Sequence, residues 1–171
     1  MGNSLDPQVS DVLSRIKRGL SGYVSYLAAC EMNASFSEYV LYEPILRILT
    51  ARGYSVKCEV ECPGVQQPTT GDRKRLDFVA SINGLQFAME VKWAKSAALN
   101  VQNDYQKLTS FLNAGSPDDR RAFLCVFGRE SHIGDLRLTP SGFREHVEPS
   151  SRNFERRVTD AACLRSVANR S

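Results

Sequence analysis

Asp77, Glu90 and Lys92 are the residues whose types and spacing point to chemistry. They lie in a run from Arg75 to Trp93 that reads as two short strands joined by Asn83-Gly84, a pair that tolerates the positive φ of a type I′ turn. With those two as the loop, Ile82 faces Leu85 and the pairs count outward: Ser81 with Gln86, Ala80 with Phe87, Val79 with Ala88, Phe78 with Met89, and Asp77 with Glu90. Lys92, two residues past Glu90, projects from the same face. The opposite face carries Leu76, Phe78, Ala80, Leu85, Phe87, Met89 and Val91, an apolar surface for a core. Two carboxylates about 4 Å apart near a protein surface repel by roughly 4 kcal/mol, so this pairing asks for positive charge between them. A divalent ion is one answer, and hard oxygen ligands suit Mg2+ or Mn2+. A solvated face where Lys92 and Arg75 offset the acids is the other. Spacing alone leaves both open.

The elements upstream must bring further groups to this hairpin. Val9, Val12, Leu13, Ile16, Leu20, Tyr23, Val24 and Leu27 recur at helical spacing and predict a long packing helix interrupted near Gly22. Ser35 or Ser37 can cap a second helix that stops at Gly53, with Pro44 imposing a bend or a start near Glu43. At about 100° per residue, Glu38 falls about 20° from Ile45 on the apolar stripe, whereas Glu43 lands about 160° away and faces solvent. A carboxylate on an apolar stripe is costly unless paired or ligating, which makes Glu38 the site candidate. Its plain alternative is an acid favoured by the helix dipole. Tyr54 to Cys62 alternates as a half-buried strand. A polar loop then ends in Arg73, Lys74 and Arg75, three cations that fit phosphate contacts beside an acidic site.

Downstream, Asn100 can cap a helix from Val101 to Asn113 with Val101, Tyr105, Leu108 and Leu112 inward. Gln102, Gln106 and Lys107 are its polar residues within reach of the hairpin. Ala122 to Phe127 is a continuous apolar run, the mark of a strand buried on both faces. Leu136–Leu138 reads as a short strand and Phe154–Leu164 as a final helix bearing Arg156 and Arg157, while His132 and His146 read as surface residues. The 171 residues, 42% apolar, suffice for one core and one domain: a helical extension over 1–34, a core over 35–127 and a strand/helix segment over 128–171. A net charge of +3 permits a nucleic-acid partner without arguing for one. Five cysteines without CxxC spacing read as small core residues of a reduced, cytoplasmic protein. Neither a secretory signal nor an apolar run of membrane length is found, and Asp6 stands where myristoylation needs Ser or Thr. The fold class expected is α/β, a central mixed sheet flanked by helices, with an extra N-terminal helix.

From Ser37 to Phe127 the order helix-acid, strand, strand-Asp, hairpin, strand-Glu-x-Lys, helix, strand resembles the PD-(D/E)xK nuclease superfamily, the restriction-endonuclease-like fold. Glu38 matches the helix acid, Asp77 the strand acid, and Glu90-Val91-Lys92 the (D/E)xK element; Leu76 stands where the motif has Pro. The resemblance implies an αβββαβ core and a Mg2+- or Mn2+-dependent nuclease cutting DNA phosphodiester bonds, as in restriction, repair, recombination or mobile-element biology. In that reading Asp77, Glu90 and the Val91 carbonyl hold the metal, Glu38 completes or orients its shell, and Lys92 orients or deprotonates the attacking water. Arg73, Lys74 and Arg75, with Gln102, Gln106 and Lys107, would contact the nucleic acid. Cutting both strands of a duplex favours a homodimer. The alternatives are an inactive nuclease-like binding module and an RNA or toxin-type nuclease.

Overall fold

The computed structural model describes residues 7–32, 37–96, 98–116, 118–128, 132, 143–148 and 164–169. Its elements run α1 (Pro7–Ala29), a 3-10 turn (Tyr39–Leu41), α2 (Tyr42–Ala51), β1 (Ser55–Glu61), β2 (Arg75–Ile82), β3 (Leu85–Ala94), α3 (Gln102–Asn113), β4 (Arg120–Gly128), β5 (Phe143–Glu148) and β6 (Leu164–Asn169). The strands form one mixed sheet in the order β1-β2-β3-β4-β6-β5, with β3 and β4 parallel and the other neighbours antiparallel. The parallel pair requires a crossover, which α3 supplies. The fold is α/β, as the alternation of patterns predicts.

Two cores sandwich the sheet. Val9, Val12, Leu13, Ile16, Leu20 and Val24 of α1 and Leu41, Ile45 and Leu49 of the second helix pack on Phe78, Ala80, Phe87, Met89, Val91, Phe123, Cys125 and Phe127. On the other face Tyr105, Leu108 and Phe111 of α3 cover Ala88, Ala94, Ala122, Leu124 and Val126. The alternation along β3 and β4 follows from burial on both faces: odd residues meet α1 and α2, even ones meet α3. Four phenylalanines are among the largest fully buried side chains, and Phe87 meets Phe123 edge-on at 5.6 Å.

The hairpin register is as counted from Ile82–Leu85 to Phe78–Met89, with Asn83 at φ 50° and Gly84 at φ 86° in the turn. Beyond Phe78 the expectation changes. Ladder pairing with β3 stops there, and on the other side β1 pairs Cys58 with Phe78 and Val60 with Leu76 but skips Glu59 opposite Asp77. Glu59 adopts φ 53°, the left-handed region that costs a non-glycine residue about 1–2 kcal/mol. Leu76 consequently packs in the α3 core rather than with Phe78, and Cys58 is exposed rather than half-buried.

Other boundaries move for local reasons. α1 is continuous through Gly22, because its buried stripe runs up to Leu20 before the glycine and resumes at Val24 and Leu27 after it. The second helix opens as a 3-10 turn, with Pro44 in the first turn of α2, where its missing N–H has no intrahelical partner to lose. Val101, not Asn100, is the boundary residue of α3, although Asn100 Oδ1 accepts from the Gln102 N–H at 3.0 Å; Leu112 packs partly buried against this core, and Phe111 beside it is buried. Leu164 opens a strand instead of closing a helix, while Leu136–Leu138 and the rest of the expected final helix lie outside the described residues. Among the described cysteines, Cys62 and Cys125 are core residues and Cys30 and Cys58 are exposed. Burial pushes the Cys125 thiol up to about 12.

Gly22 lies inside α1 with open space around a built Cβ. Gly22→Ala is expected to stabilise the protein by about 0.5–1 kcal/mol, read as a higher urea midpoint at unchanged slope.

Candidate functional site

The site begins where β2 and β3 part. In a continuing antiparallel ladder the Val91 N–H would bond the main chain opposite it; instead it donates to Asp77 Oδ2 at 2.7 Å. The Tyr42 hydroxyl of α2 donates to Glu59 Oε1 at 3.2 Å and stands close enough to Asp77 to favour its carboxylate. These donors favour the carboxylate, yet burial is the larger influence and holds Asp77 above its usual range. Burial, then Asp77 and Glu59, push the Tyr42 hydroxyl far up, so it stays a protonated donor.

Glu90 is wholly buried, 0% exposed, on the α3 face of the central strand β3. Lys107 of α3 reaches its Oε2 at 2.5 Å, also donates to the Arg75 carbonyl at 3.0 Å, and lies 3.3 Å from Asp104 Oδ1. Glu90 Oε1 has no hydrogen-bond partner among the described residues. Burial, followed by repulsion from Asp77, raises the Glu90 carboxyl to about 9. Burial works to lower Lys107, but attraction to Glu90 and Asp104 outweighs it and the ammonium is held above its ordinary value.

Lys92 stands 3.5 Å from Asp104 Oδ1 and 3.7 Å from Glu38 Oε1. Burial opposes its charge, and Asp104, Glu38 and Asp77 more than offset that, so it is held as an ammonium. Glu38 precedes the 3-10 turn with its side chain 37% exposed, and its Oε1 accepts the Trp93 N–H at 3.3 Å. It reaches the end of β3 from a helix entry, not from within a helix. Glu43 faces solvent and pairs with Arg47 at 2.5 Å.

Three acids and two lysines are thus joined, Glu38–Lys92–Asp104–Lys107–Glu90, and a fourth acid, Asp77, is electrostatically close to both ammoniums. Of the residues picked out by sequence, Glu38, Asp77, Glu90, Lys92 and Lys107 come together. Val91 contributes an N–H to Asp77. Arg73 is instead tied to Glu61 at the surface, and the Lys74 main chain is held by both ends of the Gln67 amide. Arg75 lends the site its carbonyl, while Gln102 and Gln106 are exposed on α3. Asp104 and Tyr42 were missed. Asp104 sits three residues after Val101 and four before Leu108, on the inward stripe, so the argument that selected Glu38 applies to it equally.

No family model, curated protein or solved structure matches the chain. The chemistry therefore rests on the residues. Among the described residues no group of three or more His, Cys, Asp or Glu stands ready as a metal cage. Lysines bridge the acids pairwise instead. The donor set nevertheless fits a hard cation: carboxylate oxygens, one of them buried and unpartnered.

Folding carries Glu90 from 4.5 to about 9, so between those values the folded chain binds more protons than the unfolded one. The contribution is full below 4.5 and is lost as pH rises through about 9. Metal-free protein is expected to lose stability as pH rises between 5 and 9. Urea unfolding across that range should show the slope in wild type and its loss in Glu90→Gln.

Proposed function

We propose that this protein is a metal-dependent nuclease of the PD-(D/E)xK type that hydrolyses DNA phosphodiester bonds. The observation that carries the reading is the convergence of Asp77, Glu90, Lys92 and Glu38 where β2 and β3 part, with a buried carboxylate oxygen left unpartnered. The element order around them supports the restriction-endonuclease-like core, and the choice of DNA follows the resemblance given above. Asp77 and Glu90, with the Val91 carbonyl, would hold Mg2+ or Mn2+, and Glu38 would orient its shell. Bound there, the ion would supply Lewis acidity to the phosphate and lower the pKa of the attacking water.

The chain's own residues divide the remaining work. Lys92, held as an ammonium by Asp104, Glu38 and Asp77, offers donors and no acceptor. It serves to orient water and to stabilise charge developing on the phosphate, rather than to remove a proton. The Val91 N–H fixes the Asp77 carboxylate, and the nearby Tyr42 hydroxyl, bonded to Glu59, favours its charge. A non-catalytic binding module is the second reading, favoured by one observation: Lys107 already satisfies one oxygen of Glu90.

Purified protein incubated with supercoiled, linear and single-stranded DNA and with RNA, in Mg2+ or EDTA, separates the readings. Cleavage of DNA in Mg2+ alone is expected, with Asp77→Asn and Lys92→Ala each lowering the rate by about 10²–10⁴-fold at unchanged fold. Cleavage that persists in EDTA, or equal rates in Asp77→Asn, would sink the proposal. Preference for RNA would keep the chemistry and change the substrate.

A further inference from the structure

Lys107, expected from the sequence to reach the hairpin and contact nucleic acid, is engaged inside the site with Glu90 and Asp104. Glu90 is fully buried, and the ammonium that reaches it comes from α3 rather than from the neighbouring Lys92. Lys92 is occupied elsewhere, with Asp104 and Glu38 as its carboxylate partners. Of the three partners of the Lys107 ammonium, only one is Glu90; the others are the Arg75 carbonyl and Asp104. An ammonium has three donors on a flexible four-carbon stem, so losing Glu90 would leave it two partners without rebuilding the helix.

We infer that Lys107 is an internal counterion: in the metal-free chain its ammonium stands in for a divalent cation at Glu90, and metal binding leaves it on Asp104 and the Arg75 carbonyl. This rests on the metal reading of the site given above. Two features distinguish the role from that of an ordinary structural ion pair. Glu90 Oε2 is taken while Oε1 remains unpartnered, so the ammonium satisfies only half of the carboxylate. Asp104 is itself buried and lies within ion-pair distance of both lysines, so it can keep Lys107 when Glu90 is claimed. The consequence is a trade. Lys107 supports the fold without metal and opposes the metal by charge repulsion and by occupying Glu90 Oε2, whereas a lysine that only kept the metal-loaded site in shape would favour both.

The test measures Mn2+ binding by isothermal titration calorimetry and the thermal midpoint without metal, for wild type, Glu90→Gln and Lys107→Gln. Wild type should bind and Glu90→Gln should lose the heat. Lys107→Gln should melt earlier without metal yet bind Mn2+ about tenfold more tightly, a modest coupling between neighbouring sites. If wild type binds and Lys107→Gln binds equally or more weakly, the counterion role fails and the metal site stands. No heat in wild type would remove both. Should Lys107→Gln not fold on its own, refolding from urea with Mn2+ supports the inference. Failure to fold in either condition overturns it.

Discussion

The bond from the Val91 N–H to Asp77 sets the geometry on which the site depends. A strand main chain normally satisfies its donors in the ladder, and a buried unpaired N–H is costly. By taking that N–H with a side chain, Asp77 ends the β2–β3 pairing without leaving the donor orphaned. The same position is skipped on the β1 side, where Glu59 takes a left-handed conformation. Strain in Glu59, the skipped Glu59–Asp77 pair and the loss of β3 partners for Arg75, Leu76 and Asp77 are the costs of letting the sheet open here. What the opening provides is access: Asp77 is approached by Tyr42 from one helical layer and lies close to Lys107 from the other.

Charge is the second constraint. Glu90 sits at full burial in the middle of the sheet, where a carboxylate without a partner would ordinarily be replaced by an apolar side chain. An ion pair between buried groups is weak evidence for stability, since desolvation offsets most of its attraction. The presence of Glu90, Lys107 and Asp104 where leucines would pack is therefore poorly explained by packing. A role that needs charge at this spot accounts for them better, and the half-satisfied carboxylate of Glu90 agrees with it.

Much of this was legible before any coordinates. Asn83-Gly84 set the hairpin register for five pairs, and alternation in β3 and β4 located both cores. Period counting separated Glu38 from Glu43 correctly in outcome, though Glu38 reaches the site from a helix entry. Three things were not legible. The parting at Asp77 flips Leu76 to the other core, because a side chain replacing a main-chain acceptor leaves no trace in a binary pattern. Gly22 was read as a break, yet packing along the whole length of α1 overrides one residue's propensity. Of the α3 residues expected to reach the hairpin, Lys107 does so while Gln102 and Gln106 are exposed, and the helical period that places Asp104 inward was not applied to it.

The position of α3 ties these points together. β3 and β4 are parallel, so the chain between them must cross over, and the crossing helix must cover one face of the pair. That face carries Ala88, Glu90 and Ala94 on β3, small or charged residues where Phe87, Met89 and Val91 fill the other. Small neighbours let α3 approach closely, and close approach puts its inward stripe over Glu90. Whatever stands on that stripe at the level of Glu90 must then answer its charge. Asp104 and Lys107, one turn apart, do so together, one holding Lys92 and the other holding Glu90. The topology that gives the sheet its parallel centre also makes the crossover helix part of the site.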